Sequence, residues 1–474
     1  MKTCYKTLLA ALIIVSAGCS DFVDLKPPAI VRQDQYFKTQ ADFAAAVNGL
    51  YSGLRGYYSN FYLFAEIPSD NSEANGYNLA HADLDQLTWL SNTTTIQTLW
   101  LSSYSSIARA NIILDRINAV AMDAAVKEQF KGEAKFIRAL MYFNLVQLFG
   151  DIPLPLKEIT TEEEAYTFGR ENVEKVYQQI QADLLEAINT LPASYDPPAK
   201  GKVTKGAAMG LLGKVYVTNK QFAEGAAILK TLIESNSYTL LEKYEDIFRV
   251  DNSFNNEILF NVHYLGNGNG EGSNFSIAFA PFGSGTEITS GGNPAGSNQG
   301  TLDLFNAFEA GDNRKSVAIA RYPASGDLYT RKFLDKPIAA NEGNNDWPVL
   351  RYADVLLLHA EALNETGKAA DAIQPLNQVR KRAGLAAIPA TAQAQLRDLI
   401  QKERRVELCF EGHRWLDLLR TRQMLPVMTK YKENYKGKAY LVEYYEVDER
   451  KYRLPIPFRE RSLNPALTQN EGYN

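Results

Sequence analysis

Two stretches far apart in the chain share one order of small and large side chains, and this constrains the fold most. The first is GAAMGLLGKVYVTNKQFAEGAAILKTLIES, with Gly213, Tyr216, Gly225 and Leu229 at matching places and a turn at Thr218-Asn219-Lys220. The second is RYADVLLLHAEALNETGKAADAIQPLNQVRKRAG, where Ala360, Leu363, Ala372 and Leu376 follow in the same order. Small residues let two helices cross closely, and large ones fill the groove between them. Both stretches therefore predict helical hairpins. Further helices are legible between and around them. Ile137, Leu140, Met141, Leu145 and Leu148 recur at helical spacing, and Gly150 and Pro153 stop the run. That helix is apolar on its other faces too, so it should be deeply buried and could be the second member of another hairpin. VEKVYQQIQADLLEAINTLP predicts one more helix, ended by Pro192.

The hairpins resemble tetratricopeptide units, but they are not adjacent in sequence. The expectation is an all-α scaffold of the right-handed type, broken by insertions, with a few short strands. EILFNVHYL reads as one strand. The stretch from Leu265 to Gly300 holds ten glycines and reads as a long irregular excursion. Loops of that length in a compact domain are usually functional or mobile. NFYLFAEIPSDNSEANGYNLAHADLDQLTWLSNTTT is a second, Asn-rich excursion.

The N-terminus predicts export. Lys2 and Lys6 precede an apolar run of eight residues, Leu8 to Val15. Ser16-Ala17-Gly18 then places small residues before Cys19, as a cleaved signal requires. The run is far short of the ~20 residues that span a bilayer. A cysteine at the cleavage point points to lipidation of Cys19, with residues 1–18 removed as a lipoprotein signal peptide. Ser16 stands where such signals usually carry Leu. The mature part, 19–474, is expected as one domain whose halves, about 19–220 and 221–474, pack together. Of the other cysteines, Cys4 leaves with the signal and Cys409 reads as a small buried hydrophobe. No internal disulfide is expected.

A formal net charge of −5 argues against a nucleic-acid partner. GNGNGEG lacks the following helix and the Gly-Lys-Ser/Thr ending of phosphate-cradling loops. Four histidines show no metal-ligand spacing, and Glu407, Glu411 and His413 lack a second histidine to complete a site. No cofactor is expected. Structural calcium stays open, because the segment from Asp70 to Asp85 is rich in oxygens. Glu403 and Glu407 lie four apart on a helix and both face inward, which would suit an acid/base pair. With Arg404, Arg405, Arg414 and Arg420 close by, they read chiefly as structural ion pairs. The 26 tyrosines and the GYYSNFYLF segment favour binding over catalysis, since a ring offers a face to a sugar and a hydroxyl to donate.

The order of segments resembles the SusD/RagB family of outer-membrane nutrient-binding lipoproteins. The resemblance runs through CSDFVDLKPP, DQYFKTQADFAAAVNGLYSGL, LWLSSYSSIARANIILDRI, GEAKFIRALMYFNLVQLFGDIPL, FEAGDNRK, DWPVLRYADVLLLHAEALNETG, ERRVELCFEGHRWLDLLR and YRLPIPFRERSLNPALTQNEGY. It implies no catalysis, and a ligand site carried by an irregular loop-rich region. The implied ligand is an oligosaccharide or polysaccharide, delivered to a SusC-like TonB-dependent transporter. The implied location is the exterior of the outer membrane, held by lipid alone, with CSDFVD as an acidic export signal. On this reading Tyr62, Asp70, Asn71, Asn75, Trp89, Trp347 and Arg351 are the ligand-binding candidates. Peptide cargo, as in the RagB branch, and a glycoside hydrolase using Glu403 and Glu407 are the alternatives.

Overall fold

A computed structural model of the chain describes residues 36–74, 81–434 and 447–473. The expected signal at 1–18, Cys19 and Asn75 lie outside the described residues. The first helix among the described residues, α1 (Gln40–Tyr58), opens on a capping box in which Thr39 and Asp42 satisfy each other's backbone N–H groups. Next come α2 (Thr94–Arg116), α3 (Ala124–Phe149) and α4 (Val173–Thr190). From Phe130 onward α3 is buried on nearly every face, because it packs against both α2 and α4. It ends at Gly150, whose φ of +76° suits glycine. The Arg453 side chain fills the space that a Cβ would need there.

The two hairpins form where their spacing predicts. The first is α5 (Lys205–Thr218) with α6 (Phe222–Glu234); the second is α7 (Tyr352–Glu365) with α8 (Ala369–Arg382). A Cβ on Gly213 would run into the Leu229 side chain, so the small residue is what allows α5 and α6 to cross. Helix α6 also packs on α7, which joins hairpins that are distant in sequence. Then α9 (Gln393–Glu407) lies against α7, followed by α10 (Arg414–Arg420) and α11 (Met424–Asn434).

Strands are short. Among the described residues they are β1 (Ser72–Glu73), β2 (Ile258–Val262), β3 (Gln299–Gly300), β4 (Ala320–Arg321), β5 (Leu328–Tyr329) and β6 (Trp347–Arg351). One sheet has the order β1-β3-β5-β4 and ties the two excursions together; the other pairs β2 with β6, Val262 opposite Trp347. The glycine-rich excursion carries a turn of helix, Phe275–Phe279, which its sequence pattern does not announce. The buried cluster runs from Phe43 to Leu467. Among the described residues, no helix is long and apolar enough to cross a membrane.

Candidate functional site

The structure places most of the expected ligand contacts in the interior. Trp89 is 1% exposed, packs edge-on against Trp415 at 6.1 Å, and donates its indole N–H to the Tyr473 hydroxyl at 2.8 Å. Trp347 is also 1% exposed and lies stacked on Phe333. Tyr62 is buried edge-on against Phe279 at 4.8 Å. A ring enclosed in this way has no face to offer a sugar. These rings support the loops from within.

The polar candidates are spent as well. Asp70 accepts from Arg414 at 2.7 and 2.9 Å and pairs with Arg405 at 2.9 Å. Burial works against its charge, but Arg405 and Arg414 more than offset this and hold its pKa at about 2. Asn71 accepts from Arg405 at 2.7 Å. Both oxygens of the Asp70 carboxylate are thus engaged by guanidinium groups. Arg351 is 1% exposed, and its partners are Glu257, Glu407 and Glu411. The sequence neighbour Asp354 pairs with Arg404 and Lys214 instead.

Glu403 and Glu407 belong to the same buried network. Arg314 donates to both, at 2.6 and 2.9 Å. Arg380 takes the second oxygen of Glu403, and Arg351 and Arg382 take the second oxygen of Glu407. Burial raises the Glu403 pKa. Arg382, Arg351 and Arg314 overcome the same penalty at Glu407 and hold it well below the usual carboxylate range. Such a divergence is what an acid/base pair needs. All four oxygens are engaged and buried, however, so no glycosidic oxygen can reach them in this arrangement. Arg404 binds Asp354 and Asp417, and Arg414 binds Asp70. Cys409 is buried beneath, and burial pushes its thiol up to about 12. Among the described residues, no cluster of three His, Cys, Asp or Glu suits a metal ion.

What remains accessible is the loop face itself. Gly296 and Ser297 donate backbone N–H groups to Ala280 and Ala278 at 3.0 and 2.7 Å, which folds the glycine-rich loop back on its own helical turn. Tyr322 donates to Glu287 at 2.9 Å and pins that loop to the β4–β5 hairpin. Phe282, on the loop, is 45% exposed. At the start of β3 the side-chain amides of Asn298 and Gln299 are buried and donate to nothing among the described residues; the Asn71 amide beside β1 is in the same state. Buried amide donors are rarely left unsatisfied. A half-exposed ring and amides in need of acceptors in the same loop region suit a polyhydroxylated ligand. Phe282 and Asn298 escaped the sequence reading because glycines and small polar residues surround them without periodicity.

A second concave region lies on the helical side. It is a groove of about 590 Å³ with an apolar floor that includes Val217, Phe222 and Leu418. Charged pairs form its walls, among them Arg397 with Glu365 and Arg420 with Glu361.

A hairpin scaffold that holds a polar loop face defines a binding protein of the helical-repeat class. Comparison with known proteins makes this specific. A profile described as the SusD family matches residues 321–473, and one described as starch-binding, associating with outer membrane, matches residues 21–217. The chain belongs to the SusD/RagB family. SusD-like protein P25 of Formosa agariphila is 27% identical over 531 aligned positions, covering 98% of this chain and 97% of that protein. The starch-binding protein SusD of Bacteroides thetaiotaomicron is 25% identical, with both chains fully covered. Among solved structures, a laminarin-binding SusD-like protein is 27% identical with a TM-score of 0.79, covering 92% of this chain and all of that one. A SusD superfamily protein from Parabacteroides distasonis is also 27% identical, with a TM-score of 0.77 and coverage of 92% and 99%.

Proposed function

We propose that the protein is a lipid-anchored glycan-binding protein of the outer membrane, held through Cys19 and facing the exterior. It captures oligosaccharide or polysaccharide on its loop face and passes it to a TonB-dependent transporter. The observations that carry this are the half-exposed Phe282 on the glycine-rich loop and the unsatisfied buried amides of Asn71, Asn298 and Gln299 in the two excursions. The ring would stack on a sugar face while the amides, opened by a small loop movement, donate to hydroxyls. The binding properties in the names of relatives, starch and laminarin, support a glycan as the ligand class.

The test is retention of the full chain, in detergent, in native gels containing neutral polysaccharides, with a peptide pool screened in parallel by thermal shift. Retardation by at least one glycan, lost in Phe282→Ala, is the expected result. A shift with peptides and none with any glycan would move the cargo to the RagB-like alternative. Copurification with a β-barrel transporter from the native membrane tests the partner.

A further inference from the structure

A cavity of about 210 Å³ opens where three helices end: α3 at Gln147, α5 at Thr218 and α10 at Arg420. The charged side chains lining it are Lys220, Arg420, Arg422 and Arg453, and no carboxylate lines it. Arg420 is neutralised from behind by Glu361 and Asp417. The other three form no ion pair among the described residues. Arg453 donates to the Tyr452 carbonyl at 2.9 Å and more distantly to that of Gln147. Burial, with the positive charge of Arg422 added, lowers its pKa.

Cations do gather at the carbonyl ends of helices, and the bond from Arg453 to Gln147 fits that explanation. It does not account for Lys220, whose side chain donates to no carbonyl among the described residues; Arg422 donates to none either and rests on the Tyr452 ring at 4.8 Å, which leaves its N–H groups to be matched. Both residues hold a left-handed backbone, with φ of +61° and +59°, just past the ends of α5 and α10. Glycine is the favoured residue there, yet the chain keeps two long cations. Two neutral donors also face this region. The Tyr177 ring is 6% exposed while its hydroxyl makes no hydrogen bond among the described residues, and the buried Thr218 hydroxyl has no partner. The cavity adjoins the 590 Å³ groove, with Lys220 and Arg420 lining both.

We propose that this cavity is an oxyanion site that takes a carboxylate or sulfate group, either free or carried on a sugar lying in the adjoining groove. Guanidinium forks match the paired oxygens of such groups, and the Tyr177 and Thr218 hydroxyls supply further donors. The site is separate from the loop face, so Phe282→Ala leaves it intact and the two readings fail independently.

The test uses the full chain in detergent and two kinds of probe. Thermal unfolding is followed against sodium sulfate, with sodium chloride at matched ionic strength as control. Mobility is compared in native gels holding polygalacturonate, dextran sulfate or neutral dextran. Because sulfate stabilises many proteins through exclusion from their surface, the readout is the difference between the wild type and Lys220→Gln/Arg422→Gln, both of whose side chains are exposed. The expected result is a sulfate-dependent rise in Tm that the double variant needs roughly tenfold more sulfate to reach. Arg453→Gln provides a second, deeper probe. Added retardation in the anionic gels that the double variant loses assigns the group to a glycan; a sulfate effect without it assigns the site to the free ion. Equal sulfate responses in wild type and both variants, with equal mobility in every gel, would overturn the proposal.

Discussion

Arg414 grips the Asp70 carboxylate through two hydrogen bonds of 2.7 and 2.9 Å, joining residues 344 positions apart in the chain. The pair fastens the first excursion to α10, with Arg405 reinforcing it from α9. Asp70→Ala leaves the Arg414 guanidinium in the interior without its carboxylate, while Arg405 keeps Asp303. It should cost about 3–5 kcal/mol of stability, measured by urea unfolding. The pH dependence has a definite sign. The folded pKa of about 2 lies below the ordinary aspartate value of 3.8, so this contribution is complete above pH 4 and fades as pH falls toward 2. Asp70→Ala should flatten that part of the acid-unfolding profile.

Glu66 is expected to act in the opposite direction. It is fully buried, accepts from the backbone N–H groups of Gly412 and His413, and leaves its second oxygen without a partner. Burial raises its pKa to about 7. The folded state therefore holds a proton that the unfolded state releases near pH 4.5. Stability should fall as pH rises from about 4.5 to 7, by up to ~1.4 kcal/mol per pH unit from this group. Glu66→Gln should remove that slope. An unchanged slope in the variant would refute the assignment.

Trp89 and Phe282 should separate cleanly. Trp89→Ala empties a packed interior site and should cost about 3–5 kcal/mol, visible as a lower denaturation midpoint with or without ligand. Phe282→Ala should change stability by about 1 kcal/mol or less, while abolishing retardation on the cognate glycan. Equal loss of binding in a folded Trp89→Ala protein would return that ring to the site.

Gly213→Val places a branched side chain against Leu229 at the crossing of α5 and α6. A loss of about 1–3 kcal/mol is expected from overpacking. A second change, Leu229→Ala, should recover part of it, because the new side chain then has room. A double-mutant cycle measures the coupling.

The helices were legible because burial on one face imposes a period on the sequence. The hairpins of α5–α6 and α7–α8 show this in their small and large residues, and Gly150 and Pro192 mark helix ends. The binding residues were harder to read. Trp89, Trp347, Tyr62 and Arg351 have the chemistry of a glycan site, yet each is covered by side chains from elsewhere in the chain. Arg351 shows the limit most directly: its glutamate partners come from two distant parts of the sequence, Glu257 and the Glu407–Glu411 stretch, and the nearby Asp354 is not among them.

The sequence alone determined that this chain folds as helical hairpins interrupted by two polar excursions, and its segment order indicated the family. Both properties are written in local patterns of residue size and polarity. Only the tertiary structure decided which aromatic rings and charges are spent in the interior. Exposure depends on what packs against a residue across hundreds of positions, as Arg414 does on Asp70, and no local pattern records it.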